Sequence, residues 1–189
     1  MVNAQEYINH EYPKNKRNDV RELSIGRRNL QGINTDLEGK LDLREFVNLE
    51  KLNCSCNFLT NLILPKNPTN LKELNLGNNN FSPQDLTFLV KATNLEVIML
   101  GNNNHAIINK GICNKFTGSL GYLSRMQQLK YLDISNTDLN EVNVDELPNS
   151  LEQIIYSTKG RPNCKLVQIT PYLKEFEGKK IHPNFTLKL

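Results

Sequence analysis

Apolar residues return along this chain at one fixed spacing. Val20-Leu23-Ile25-Leu30, Leu49-Leu52-Cys54-Leu59, Leu71-Leu74-Leu76-Phe81, Leu95-Ile98-Leu100 and Leu129-Leu132-Ile134-Leu139 share it, and Leu151-Ile154-Tyr156 is a sixth, eroded copy. Within each copy, positions 4 and 6 are apolar and are flanked by mostly polar positions 3, 5 and 7. Side chains alternate across a strand, so this pattern predicts one short strand per copy with positions 4 and 6 facing inward. Strands repeated at a fixed period predict a stack of parallel units that bury one shared core.

The spacing, with Asn57, Asn79 and Asn103 at the ninth position of three copies, is the leucine-rich-repeat signature. The expected fold is α/β, a solenoid with a parallel concave sheet of five or six short strands and a helical cap at each end. The asparagines read as a structural ladder, because a buried turn leaves backbone groups unpaired and an amide side chain offers both donor and acceptor. Arg28, Thr137 and Lys159 occupy that slot in the outer copies, where the ladder is expected to fray. Cys54 reads as a small buried hydrophobe.

Measured between first positions, the steps are 29 (20 to 49), 22 (49 to 71), 24 (71 to 95), 34 (95 to 129) and 22 (129 to 151). Insertions account for the two long steps. Leu30-Gln31-Gly32 is echoed by Leu37-Glu38-Gly39, and removing residues 33–39 restores 22. Gly101-Asn102-Asn103-Asn104 copies Gly77-Asn78-Asn79-Asn80, but the phenylalanine that follows as Phe81 arrives only as Phe116. Removing residues 105–115 leaves 23.

Residues 1–19 are expected to form the N-terminal cap, 20–160 the solenoid and 161–189 the C-terminal cap and tail. Asn3-x-x-Glu6 resembles a capping box that opens a helix through Tyr7, Ile8 and Glu11, stopped by Pro13. Thr170-Pro171 reads as an N-cap and N1 pair ahead of Tyr172, Leu173 and Phe176, with Gly178 ending the helix.

The chain's 189 residues suit one domain with a sizeable core, and the absence of Trp suits an aliphatic interior. The first residues lack the apolar run of a signal peptide, and no stretch approaches the 18 apolar residues of a membrane span. The four scattered cysteines point to a reducing, cytoplasmic setting. A Met1 start followed by a cap helix reads as a complete unit. A net charge of +3 gives no case for nucleic acid. Lys14, Lys16, Arg17, Arg21, Arg27 and Arg28 crowd the N-terminal edge, with Glu11, Asp19 and Glu22 interleaved. This reads as a solvated edge; an acidic partner or a phosphate is the alternative.

Several strings go beyond a generic repeat. They include Tyr12-Pro13-Lys14, Val20-Arg21-Glu22-Leu23-Ser24-Ile25, Leu41 to Leu49, Phe116-Thr117-Gly118-Ser119-Leu120 and Leu129 to Asp138. Together they resemble the intracellular leucine-rich-repeat proteins expanded in arbuscular mycorrhizal fungi, over roughly residues 5 to 178. In that family such arrays stand alone or beside kinase-like domains, and the resemblance implies protein–protein contacts without defined ligand-binding residues. The chain has no kinase glycine loop, H-R-D or D-F-G string, so kinase activity does not carry over.

The expected function is a non-catalytic scaffold that binds another protein or peptide. The alternative is a structural or regulatory spacer of a larger kinase-associated signalling protein. Outward position 3 reads Glu22, Lys51, Glu73, Val97, Tyr131, Gln153, and position 5 reads Ser24, Asn53, Asn75, Met99, Asp133, Ile155. Val97, Met99, Tyr131 and Ile155, with Asp133 among them, form the candidate contact patch, and Tyr131 is its natural anchor. The competing reading has the last helix or the insertion fold back over them. His105, Ile107 and Ile108 of the second insertion are expected to extend one rim beside the patch, unless that insertion is merely tolerated. His105 and Cys113 share the insertion as a weak thiolate pair, and the cysteines lack zinc-site spacing. No enzyme activity, cofactor, metal or membrane contact is expected.

Overall fold

The computed structural model describes residues 1–26 and 36–179. In chain order the strands and helices are β1 (Val2–Asn3), α1 (Ala4–Glu11), β2 (Glu22–Ser24), β3 (Leu37–Asp42), β4 (Lys51–Asn53), β5 (Phe58–Ile63), β6 (Glu73–Asn75) and β7 (Val97–Met99). They continue with α2 (His105–Ile108), β8 (Thr117–Ser119), β9 (Tyr131–Asp133), β10 (Asp138–Glu141), β11 (Gln153–Ile155) and α3 (Thr170–Lys179). Short 3-10 turns, among them Val144–Glu146 and Lys165–Gln168, link several of these.

All sheets are parallel. The largest has six strands in the order β11-β9-β7-β6-β4-β2, so each strand pairs with the next copy of the hydrophobic pattern. Register is residue for residue: Leu23, Leu52, Leu74, Ile98, Leu132 and Ile154 lie side by side, none more than 4% exposed. A slip of one residue would turn that aliphatic row into solvent, and burying each such side chain is worth about 1.5–3 kcal/mol. Ile25, Cys54, Leu76, Leu100 and Ile134 form a second buried row. Behind them, β1-β3-β5 and β10-β8 make two small sheets, bridged in part by Gln84 to Phe116. Ring contacts at 5.1 Å (Phe81 to Phe116) and 5.9 Å (Phe88 to Phe116) fill the layer between. The chain is therefore α/β, with parallel sheets and few helices.

The ends are closed differently. Asn3 Oδ1 accepts from the N–H groups of Gln5 (3.0 Å) and Glu6 (3.1 Å), and α1 buries Ala4 and Ile8 against β3. At the other end α3 packs on the Val144–Glu146 and Lys165–Gln168 turns through Leu173 and Phe176. Two details correct the sequence reading. Thr170 does not cap an N–H; its hydroxyl donates to the Val167 carbonyl at 3.0 Å. Gly178 does not end α3, which continues to Lys179.

The second insertion is displaced from where the sequence puts it, and the described end of the first is strand. Leu37, assigned to the first, is instead a core residue whose N–H donates to Asn57, as the Leu59 N–H does to Asn79. Arg28, Leu30 and residues 33–35 lie outside the described residues. The second insertion runs from Asn103 to Cys113, because Asn114 stands where Asn103 was expected.

The open face of the large sheet

The ladder shows how the sheet's edge is held. Asn57 Nδ2 donates to the carbonyls of Ile25 (2.9 Å) and Cys54 (3.1 Å), and its Oδ1 accepts from Leu37 N–H (3.1 Å). Asn79 repeats this with Cys54 (3.0 Å), Leu76 (3.0 Å) and Leu59 N–H (3.0 Å). The third rung is Asn114, bound to the carbonyls of Leu76 (2.8 Å) and Leu100 (2.9 Å) and to Phe81 N–H (3.3 Å). Asn103 is exposed and accepts from Asn78 Nδ2 instead, which removes it from the ladder. Thr137 is fully buried in the next slot and makes a single side-chain bond, to Ile134 O at 2.7 Å. Lys159 is exposed.

A second column was missed. Cys56, Asn78 and Asn136 each adopt φ between 54° and 58°, the left-handed region. Asn tolerates that conformation because its side chain bonds locally. Asn78 Oδ1 accepts from Asn103 N–H (2.8 Å) and Asn104 N–H (2.9 Å), which pins the start of the insertion. Asn136 Oδ1 does the same for Gly160 and Arg161, both at 2.9 Å. The runs of Asn in the sequence were the available signal.

On this framework the open face divides in two. Its β2, β4 and β6 half is a charge ladder, with Lys51 Nζ 3.0 Å from Glu73 and 3.8 Å from Glu22. Its β7, β9 and β11 half is mainly apolar, with Val97, Met99, Tyr131 and Ile155 beside Gln153 and Asp133. Register sets Val97 beside Tyr131 and Met99 beside Asp133, with Ile155 on the far side of Asp133. All five are half-buried. Strands about 4.8 Å apart make these one contiguous patch. A depression of about 320 Å³ on the polar half has Val97 and Met99 among its walls.

Asp133 is the only acid among the patch residues. Burial raises its pKa, opposed by the Ser135 N–H that donates to Oδ1 at 2.9 Å. Burial also raises the Tyr131 pKa, with a further push from Asp133. Gly101 belongs to this arrangement, since a Cβ there would collide with Asp133 Oδ1.

The insertion residues do not join the patch. His105 and Ile107 line a separate depression of about 450 Å³ with Cys56 and Phe58. Ile108, expected at the rim, is only 8% exposed; a Cβ on Gly160 would lie 3.1 Å from its Cδ1. It anchors the loop rather than presenting it. Tyr156, beyond the last strand, donates its hydroxyl to Glu177 of α3 at 2.7 Å, which fixes that helix at the sheet's end.

Cys113 is buried while His105 is exposed, and burial pushes the Cys54 thiol well up, which favours the inert protonated form. Among the described residues, no group of three or more His, Cys, Asp or Glu side chains is placed to hold a metal. Nor is any described helix long and apolar enough to cross a membrane. No protein-family model matches the chain, and no curated protein matches it.

Proposed function

We propose that this chain is a non-catalytic, intracellular leucine-rich-repeat scaffold that binds a protein or peptide segment across the open, concave face of its large sheet. The observation that carries the reading is the apolar half of that face. Val97, Met99, Tyr131 and Ile155 stand in register on adjacent strands and point away from the core. An apolar patch on a face that is otherwise a charge ladder favours contact with a partner. Asp133 specifies the partner's chemistry. The single Ser135 N–H does not satisfy a carboxylate that an interface covers, so the partner presents apolar side chains around a Lys, Arg or other donor. His105 and Ile107 extend the contact only for a partner long enough to leave the sheet and reach the second depression.

A photo-crosslinking residue at Tyr131 should capture one defined partner, while the same residue at exposed Lys91 should not. With the purified partner, Tyr131→Ala should weaken binding by about 30-fold, the loss typical of a buried aromatic anchor. Unchanged affinity in Tyr131→Ala would remove the patch from the interface.

A further inference from the structure

Lys14, Arg17 and Arg21 do not share one solvated edge. Arg21 pairs with Glu50, whereas Lys14 and Arg17 line a depression that Arg21 does not. There they meet Lys40, Arg44 and Lys66 around a depression of about 640 Å³, within the range of small-molecule sites. Among the described residues these five cations face two carboxylates, Asp42 and Glu45. The local surplus equals the +3 of the whole chain, so the rest of the molecule is formally neutral.

Both carboxylates are already engaged. Asp42 accepts from Arg44 Nε and Nη2, which lowers its pKa, and Glu45 binds Arg17 and lies 3.6 Å from Lys14. Arg17 is 4% exposed and forms the rigid floor. It donates to Tyr12 O (2.8 Å) and to Asn9 Oδ1 (2.7 Å), with its guanidinium 5.4 Å from the Phe46 ring centre. Lys40 and Lys66 form no ion pair with a described residue.

The neutral lining has the same bias. Asn3 Oδ1 is occupied by Gln5 and Glu6 N–H, Gln5 Oε1 by Asp42 N–H at 2.7 Å, and Asn9 Oδ1 by Arg17 and by Gln5 Nε2 at 3.2 Å. Every amide oxygen that the described residues place around the depression is therefore consumed internally. The amide nitrogens of Asn3 and Asn9 are left to donate, alongside the ammonium groups of Lys40 and Lys66. A concave surface with spare donors, spare positive charge and its acceptors already used selects an anion.

We infer that this depression is a binding site for a small polyphosphorylated anion. Two or more phosphate groups match a surplus of three charges and a volume far larger than one phosphate needs. Among the described residues no aromatic side chain lines it, so phosphate rather than a base is what it recognises. The site is independent of the open face.

Calorimetric titration of the full chain with sodium tripolyphosphate tests this. Saturable one-to-one binding is expected, at least tenfold tighter than with orthophosphate. ATP, which offers the same phosphates with a base attached, should bind no tighter than tripolyphosphate. Lys40→Glu with Lys66→Glu should weaken binding at least tenfold, whereas Lys91→Glu with Lys159→Glu, an equal change of net charge elsewhere, should stay within twofold. Asn9→Asp keeps the oxygen that Arg17 needs and replaces a donor by an anion, so it should also weaken binding while the protein stays folded. Equal losses in the two charge-reversed variants, no saturable binding, or tighter binding of ATP would each overturn the proposal.

Discussion

Gly77-Asn78-Asn79-Asn80 and Gly101-Asn102-Asn103-Asn104 are the same four residues in the same place after a strand, yet they fold differently. In the first turn Asn79 is wholly buried and ties three backbone groups together. In the second, Asn103 turns out to solvent and Asn114, eleven residues later, fills the slot. Asn102 and Asn114 then clasp each other across the base of the loop, through Asn114 N–H to Asn102 Oδ1 (2.8 Å) and Asn102 Nδ2 to Asn114 O (3.2 Å). A buried slot that must satisfy two carbonyls and an N–H is filled by whichever amide the chain can bring there, and not by local order in the sequence.

The largest effect expected is on the rungs themselves. Asn114→Ala leaves the Leu100 carbonyl and the Phe81 N–H without their amide partner, a loss of about 3 kcal/mol; Asn79→Ala strips the Leu59 N–H and thins the bonding of two shared carbonyls, about 2 kcal/mol; Asn103→Ala should cost less than about 1 kcal/mol. Urea unfolding midpoints of the three variants measure this; equal losses at 103 and 114 would abolish the contrast.

Shortening the loop sharpens it. Excising 103–113 joins Asn102 to Asn114 and yields Gly-Asn-Asn-Lys-Phe, and excising 105–115 yields Gly-Asn-Asn-Asn-Phe. Both leave an Asn at the slot, so both should stay folded, with stability changed by no more than about 2 kcal/mol from lost loop packing and regained loop entropy. On the 105–115 excision, however, Asn103→Ala should become as costly as Asn114→Ala is in the full chain. A silent Asn103→Ala on that background would mean the slot is filled some other way.

The smallest effect concerns the carboxylate over the second turn. Gly77 N–H donates to Asn75 Oδ1 at 3.0 Å, while Gly101 sits beneath Asp133. Because burial raises the Asp133 pKa, the folded protein holds that proton more tightly than the unfolded chain does. Its stabilising contribution is present below the unfolded value of about 4 and is lost as pH rises through the raised folded value. Asp133→Asn should therefore flatten the stability curve just above pH about 4 and leave the protein slightly more stable at pH 7. Unfolding titrations at pH 4.5 and 7 read the difference.

Much of the structure was legible in advance because it follows from period. The alternation around Leu52, Leu74, Ile98 and Leu132 placed six strands, their inward rows and both outward columns, down to Val97 beside Tyr131. The small backing sheets were not, since Leu37–Asp42 and Phe58–Ile63 carry only weak alternation and gain their strand form by pairing. The insertion boundaries were ambiguous for a simpler reason. Asn103-Asn104 and Asn114-Lys115 fit the slot equally well as strings, and Leu30-Gln31-Gly32 and Leu37-Glu38-Gly39 are near copies. The polyanion site was invisible because Lys14, Lys40 and Lys66 are about 26 residues apart in the chain and meet only across neighbouring connections.

Local chemistry alone settled which residues could be buried and on which side of a strand each would stand, because side-chain polarity and a two-residue period are properties of the sequence. Which asparagine became a rung and which lysines came to share a depression were decided by tertiary structure. Those choices depend on unpaired backbone groups and on distances that exist only once the strands lie side by side.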